Sequence, residues 1–266
     1  MDAFHTLEAA GLLWRHWQAG GALDALPDAA RPMTRAEGYA VQARLPEASG
    51  RAVSGWKIAA TSAAGQAHIN VSGPLAGRLL DGRLHADGDT VPSAGNRMRV
   101  AEPEFAFLFS RTLSPRPSAY AVDEVLDAVF TLHPAIEIPD SRYTDFVVAG
   151  EAQLLADDAC AGRFVLGPAA ATDWRAIDLS AHAVRGTVRR AGAVALAREG
   201  SGAAVLGDPR VALAWLANEL SGLGIPLEAG QVVTTGTCMM PLEILPGDAV
   251  EADFGVLGTV SMRFAD

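Results

Sequence analysis

The 266-residue chain predicts an α+β fold, and three observations carry that expectation. Helical patterns collect in the first fifty residues and strand patterns dominate the end. Between them the strands do not alternate regularly with helices, as a doubly wound α/β sheet requires. Half of the residues are hydrophobic, which excludes a disordered chain and supplies a large core. A single domain of residues 1–266 is expected, with an N-terminal helical segment at 1–50 and a β-rich core at 51–266.

Residues 2–19 predict a helix, with Phe4, Leu7, Gly11 and Trp14 along one stripe and Gly20-Gly21 as its stop. Thr34, with Glu37 three residues on, forms a capping box for a second helix, expected to reach Leu45 before Pro46. Residues 51–61 read as a strand with Lys57 in its middle. Ser62 caps a short helix to about His68, and Gly73-Pro74 begins a loop leading to Leu79-Leu80. The Gly-, Asp- and Pro-rich stretch 81–99 predicts turns with short strands, ahead of a strand at Val100–Phe109 and a Pro-rich turn at 114–118. Val122, Val125, Leu126, Val129 and Phe130 keep helical spacing, so an amphipathic helix is expected there, stopped by Pro134. A strand through Glu137 follows, then strand-like runs at 162–167 and 181–190. Asp208-Pro209 joins an N-cap to a proline at the first helical position, ahead of a helix carrying Val211, Trp215, Leu216 and Leu220 and ended by Gly222. The tail reads as strands at 231–235, 249–254 and 259–264.

A formal net charge of −10 argues against general nucleic-acid binding, though not against a small anionic substrate, because the local field of a pocket outweighs net charge. Cys160 and Cys238 are too few for a disulfide framework and suit a reduced compartment. Asp2, His5 and Glu8 stand where a signal peptide would place basic residues and an apolar run, and no apolar segment reaches the ~18 residues needed to span a bilayer. A soluble cytoplasmic protein without membrane contact is expected.

The strand Val100–Phe109 carries the clearest chemistry. Residues two apart on a strand share a face, so Glu102 and Glu104 project together. Buried ionised carboxylates need a proton, a basic partner or a metal. Glu137, in similarly apolar surroundings, completes an all-oxygen set suited to Mg²⁺ or Mn²⁺ rather than zinc. The spacing equally fits a solvated face of an edge strand, where Pro103 would be at home. Lys57, between Trp56 and Ile58, is either an ammonium inside a site or a side chain snorkelling to the surface. Arg142 could orient a metal-bound carboxylate or pair with Asp140. His5 and Glu8 read as an acid–base pair or a surface helix pair, His68 as facing a pocket or as a satisfied or exposed histidine, and Cys160 as a small core residue rather than a nucleophile. The Thr235-Gly236-Thr237 turn either offers backbone N–H groups to an anion or simply joins strands. No nucleotide-binding glycine motif and no Gly-x-Ser-x-Gly elbow is present.

Several pieces, in order, resemble one family. Gly55-Trp56-Lys57-Ile58, Glu102-Pro103-Glu104-Phe105-Ala106, Pro134 to Arg142, Pro246-Gly247-Asp248 and Leu257 to Ser261 resemble the 2-keto-4-pentenoate hydratase and 4-oxalocrotonate decarboxylase branch of the fumarylacetoacetate hydrolase superfamily. The resemblance implies a mixed β-sandwich roll with flanking helices, a homo-oligomer, and one Mg²⁺ or Mn²⁺ on Glu102, Glu104 and Glu137. It puts Lys57 in a catalytic role and Ile69, Leu75, Arg142, Cys160 and Thr237 around a small 2-oxo or 2-hydroxy-dienoic acid. The implied reaction is addition of water to a 2-hydroxy-2,4-dienoate through a metal-stabilised enolate.

The chain departs from that branch at three places: Leu75 replaces an aspartate, Cys160 a serine, and Met239-Met240 a small glycine-containing stretch. The metal end of the pattern is thus kept while the end that handles water is changed. Decarboxylation of a 2-oxo-3-enedioate is the alternative, since it draws on the same enolate. An acylpyruvate hydrolase would need a His-x-x-Glu soon after Lys57, and residues 58–72 hold none. A non-catalytic subunit that binds a 2-oxo acid is the reading outside enzymology.

Overall fold

The computed structural model describes residues 1–266. Three helices open the chain: α1 (Ala3–Ala19), α2 (Arg35–Gln42) and α3 (Leu45–Ser49). Asp2 caps α1 through the His5 N–H, and Gly20 ends it in the left-handed conformation. Thr34 caps α2 through the Glu37 N–H. The second helix ends at Gln42, short of the expected Leu45, because Pro46 sits in the first turn of α3, where its missing N–H costs nothing.

The strands follow: β1 (Val53–Ala59), then the short α4 (Ala63–His68), β2 (Leu75–Leu80), β3 (Leu84–Ala86), β4 (Thr90–Val91) and β5 (Val100–Phe109). After them come α5 (Val122–Leu126), β6 (Val129–Ile138), α6 (Glu151–Ala156), β7 (Arg163–Leu166), β8 (Ala183–Arg190) and β9 (Ala193–Ser201). The chain closes with α7 (Pro209–Gly222), β10 (Val232–Thr237), β11 (Leu242–Glu243), β12 (Ala249–Asp253) and β13 (Thr259–Phe264). They form two sheets. One has the order β2-β1-β10-β5-β6-β7-β3, with β11 added beside β5, and the other runs β4-β13-β12-β8-β9. The architecture is the mixed β-sandwich roll with flanking helices.

Alternation along β5 builds the sandwich. Phe105 and Phe107 point inward, Phe105 meeting Phe254 edge-on with ring centroids 5.1 Å apart and Phe107 meeting Trp174 at 5.5 Å. The intervening residues, Glu102, Glu104 and Ala106, occupy the opposite face. A separate apolar cluster joins α1 to the sheet side of the molecule through Ala9, Leu13, Leu26, Val41, Tyr143 and Ala156.

Two expectations fail around β6. The helix expected over Val122–Phe130 ends at Leu126, because pairing with β5 from Val129 onward captures residues that also fit a helical stripe. Phe130 is left exposed. Pro134 does not stop anything; it lies inside β6 opposite Phe105. Its carbonyl accepts from the Gly167 N–H, so its missing N–H faces the side where β7 has already ended at Leu166. Pro103 is accommodated alike. Its carbonyl accepts from the Cys238 N–H, and β10 breaks register there between Thr234 and Thr237. The edge-strand reading of Pro103 therefore falls, since β5 lies between β10 and β6. The loop expected after Gly73-Pro74 is instead β2 from Leu75, and β9, β11 and α6 carried no clear signal in the sequence.

Gly55 on β1 faces the β10 backbone so closely that a Cβ would collide with the Val232 carbonyl oxygen. Replacement by alanine is expected to lower stability by about 1–3 kcal/mol, read as a fall in the urea midpoint. An unchanged midpoint would contradict the close β1–β10 approach.

Candidate metal centre

One sheet face gathers the polar side chains. Glu102 on β5 stands directly opposite Glu137 on β6, and Glu104 follows two residues along the same face. One oxygen from each carboxylate lies within 4.8 Å of the others. Glu104 and Glu137 are buried, and Glu102 is partly open. Two strands away, Lys57 on β1 pairs with Thr234 of β10 and extends under the acids, its Nζ 3.1 Å from Glu137 Oε2. Gly77 on β2, opposite Lys57, leaves room for its stem: a Cβ there would press on Lys57 Cδ and the Asp158 carbonyl.

Like charges directly opposite on a sheet repel, and burial adds a desolvation cost of several kcal/mol per ion. Burial, together with the neighbouring Glu137, pushes the Glu102 carboxyl up to about 7. Burial and the other two acids hold Glu104 well above the carboxylate range, and burial raises Glu137 against the pull of Lys57. Burial alone would lower the Lys57 ammonium, but the attraction of Glu137, Glu102 and Glu104 outweighs it and leaves the pKa raised. One ammonium does not balance three carboxylates.

The hydrogen-bond inventory locates the shortfall. Glu104 Oε2 accepts from the Thr234 hydroxyl and, at 2.7 Å, from the Gly236 N–H. Its Oε1 has no partner, and neither does Glu137 Oε1, although both atoms are buried. Orphaned, buried carboxylate oxygens, in an all-oxygen set whose three residues come this close together, fit a hard divalent cation. Glu102, Glu104 and Glu137 would hold it, with Thr234 and Gly236 fixing the orientation of Glu104.

The other residues expected at the site are placed as follows. Cys160 is buried in the turn beside Lys57, and burial pushes its thiol up to about 12, which keeps it neutral. Leu75 is buried on β2, two residues from Gly77 on the same face as Lys57. Thr237 lies opposite Glu104 in the β10–β5 pairing, its hydroxyl donating 2.9 Å to the Met239 carbonyl. Ile69 follows α4 and packs on the main core. His5 pairs with Asp2 at 2.8 Å, not with Glu8.

Arg142 needs correction. It pairs with Asp157 rather than Asp140: its Nε and Nη2 donate to the Asp157 carboxylate and carbonyl, and Nη1 donates 2.7 Å to the Ala161 carbonyl. Buried and fully engaged, Arg142 braces the turn from Asp157 to Ala161. Met239 also leaves the site, packing against Gly186 and Gly200, where a Cβ would strike it.

The residues that sequence reasoning missed lie in that turn. Asp158, Ala159 and Cys160 have φ of 57°, 51° and 59°, a run in the left-handed region that non-glycine residues avoid. The run aims the Ala159 carbonyl at Lys57, whose Nζ donates to it at 3.0 Å. Asp158 secures the turn by accepting 2.7 Å from the Arg78 N–H. With no glycine to mark it, the turn had no local signal. Of the two readings of the Thr235-Gly236-Thr237 turn, the structure shows a backbone N–H donated by Gly236, and its acceptor is the protein's own Glu104.

A sandwich whose face presents a hard-cation carboxylate set beside a buried ammonium defines a class of site suited to small oxygen-rich acids. Residues 83–265 match the family described as fumarylacetoacetate (FAA) hydrolase C-terminal. The chain is 33% identical over 260 residues to a 2-keto-4-pentenoate hydratase of Paraburkholderia xenovorans, covering 97% of this chain and 94% of that one. It is 36% identical over 225 residues to a 2-hydroxyhexa-2,4-dienoate hydratase of Comamonas testosteroni, covering 84% and 82%. Among solved structures, 4-oxalocrotonate decarboxylase from Pseudomonas putida G7, complexed with magnesium and adipate, superposes with a TM-score of 0.86 at 28% identity over 99% of this chain and 98% of that one. The chain belongs to the fumarylacetoacetate hydrolase family.

Two outcomes follow for calorimetric titration with Mg²⁺. Thr234→Val, which removes a donor to Glu104, is expected to weaken the metal by about 10–100-fold. The carboxyls must lose their protons to bind a cation, and with Glu102 raised from 4.5 to about 7 and Glu104 also raised well above 4.5, affinity should climb as pH rises through about 7. The metal-free chain shows the converse: carboxyls raised by folding stabilise it at acid pH, and that contribution is lost as pH rises from 4.5 toward 7. Metal affinity flat between pH 5.5 and 8, or untouched in Thr234→Val, would contradict this account.

Proposed function

We propose that the chain is a divalent-metal-dependent hydratase, a lyase acting on a 2-hydroxy-2,4-dienoate or its 2-oxo-enoate tautomer, with Mg²⁺ or Mn²⁺ as the cation. The observation that carries this reading is the pair of buried, unpartnered oxygens on Glu104 and Glu137 beside Lys57. Near-full-length similarity to proteins named as hydratases supports the choice of chemistry. When bound, the cation supplies positive charge for the oxygen that becomes anionic in the reaction.

The chain's own groups do the rest. Glu102, Glu104 and Glu137 set where the substrate's chelating oxygens lie. Lys57, held as an ammonium and oriented by the Ala159 carbonyl, donates toward those anionic oxygens and is the proton carrier nearest the acids. As the 2-hydroxyl gives up its proton, a proton added at the far carbon of the dienol gives the conjugated 2-oxo-enoate. Water then forms a C–O bond at C4 as C3 takes a proton, and a 4-hydroxy-2-oxo acid results. Leu75 and the neutral Cys160 supply an apolar, weakly polar wall where a carboxylate and a hydroxyl were expected, so neither serves as a base for the water. The single-domain organisation and a homo-oligomeric assembly belong to the same reading.

Decarboxylation of a 2-oxo-3-enedioate is the second reading, favoured by the superposition on the decarboxylase of Pseudomonas putida G7. Incubation with Mg²⁺ and each substrate separates the two: loss of dienol absorbance without CO₂ marks the hydratase, and CO₂ release from the enedioate marks the decarboxylase. Lys57→Met is expected to cut kcat by about 10²–10⁴-fold while the fold persists. Turnover that survives both a chelator and Glu104→Gln would overturn the metal-dependent reading, and no turnover of any 2-oxo acid would leave a binding subunit.

A further inference from the structure

A second charged cluster lies apart from the carboxylates. A cavity of about 320 Å³ is walled by Arg51, Arg83 and Arg163, with Trp17, Asn96 and Asp140. Neither Glu102, Glu104, Glu137 nor Lys57 lines it. Where the end of α1 meets the loop at 94–96, Gly20 and Gly95 approach so closely that a Cβ on either would stand 2.8 or 2.9 Å from the other's Cα. That contact closes one rim.

Two of the guanidiniums, Arg51 and Arg83, are held over indole rings, and none of the three forms an ion pair. Arg83 stacks over Trp17, 4.7 Å from the ring centroid, and over Trp14 at 5.5 Å; Arg51 lies 5.6 Å from Trp14. Arg51 donates to the Asp81 carbonyl, whereas Arg83 and Arg163 feel the attraction of the Asp140 carboxylate without forming an ion pair or a side-chain hydrogen bond. The single carboxylate in the wall, Asp140, is turned to backbone, accepting 2.8 Å from the Arg97 N–H and 3.3 Å from the Met98 N–H. Three cations against one carboxylate make a positive cavity in a chain of net charge −10. Burial and repulsion from Arg163, Arg142 and Arg51 push Arg83 down to about 10, so crowding these cations is costly until an anion joins them.

We propose that this cavity is a binding site for a small polyanion, a molecule presenting two or more anionic oxygens of phosphate or carboxylate type to Arg51, Arg83 and Arg163. Guanidinium forks match such oxygens in a bidentate way, and indole faces keep the forks oriented before the ligand arrives. The volume falls at the small end of ligand sites, about 300–1,000 Å³, which suits a metabolite-sized anion rather than a peptide segment. Opposite charge also separates the two sites: the glutamate trio calls for a cation and this cavity for an anion.

Calorimetric titration of the Mg²⁺-loaded protein with inorganic phosphate, and separately with succinate, tests the assignment. Saturable binding of at least one of them below about 10 mM is expected, and the stronger of the two identifies the phosphate or carboxylate source. Arg83→Gln and Arg163→Gln should each weaken it by about tenfold or more, while Glu104→Gln, which disables the carboxylate trio, should leave it intact. Arg51→Gln, at the start of the β1 strand's approach, serves as the second probe where Arg83→Gln fails to fold. No saturable binding of either anion, or binding lost in Glu104→Gln and kept in the arginine variants, would overturn the proposal.

Discussion

The structure depends on one electrostatic constraint: three carboxylates share a sheet face with a single ammonium. Glu102 and Glu137 are direct cross-strand neighbours, a placement that penalises like charge in any sheet. Lys57 offsets part of the repulsion and the Thr234 and Gly236 donors another part, yet buried oxygens on Glu104 and Glu137 stay without partners. A sheet that keeps such an arrangement between β10 and β6 presents a ligand set suited to a divalent cation, which would offset the repulsion with the ligand chemistry the oxygens prefer.

Much of the surrounding fold can be understood as support for that face. The phenylalanines of β5 anchor the strand from behind by packing on Phe254 and Trp174. The irregularities of β10 around Gly236 serve two ends, since the break in register accommodates Pro103 and turns a backbone N–H onto Glu104. Opposite them, Arg142 and Asp157 form a buried pair whose worth lies in geometry more than in net stability. They hold a backbone run with three consecutive positive φ values, each costing on the order of 1–3 kcal/mol, and the run delivers the carbonyl that steers Lys57. Strain kept at such a place is a sign of function.

How much of this was legible in the sequence varied with the range of the interaction. Local signals read well: Thr34, Ser62 and Asp208 cap helices where their side chains promised, and Val100–Phe109 is the strand that alternation required. Shared faces on one strand were legible too, which is why Glu102 and Glu104 stood out. The failures were cases in which tertiary contact overrode a local pattern. Val129 and Phe130 fit a helix but pair with β5, and Pro134 is tolerated mid-sheet only because β7 ends beside it. Arg142 was visible as a charge near Asp140, but its partner, Asp157, lies in a turn no glycine announces. The arginine cavity was invisible for the same reason, since Arg51, Arg83 and Arg163 meet only through the folded sheet and α1.

The account turns on a cation among Glu102, Glu104 and Glu137. Crystals grown with Mn²⁺ and measured for anomalous scattering near the manganese edge test it most directly. The account predicts one strong anomalous peak within coordination distance, about 2.0–2.6 Å, of an oxygen from each of the three glutamates. A saturating Mn²⁺ concentration that left this position without a peak, with the three carboxylates still clustered, would contradict it.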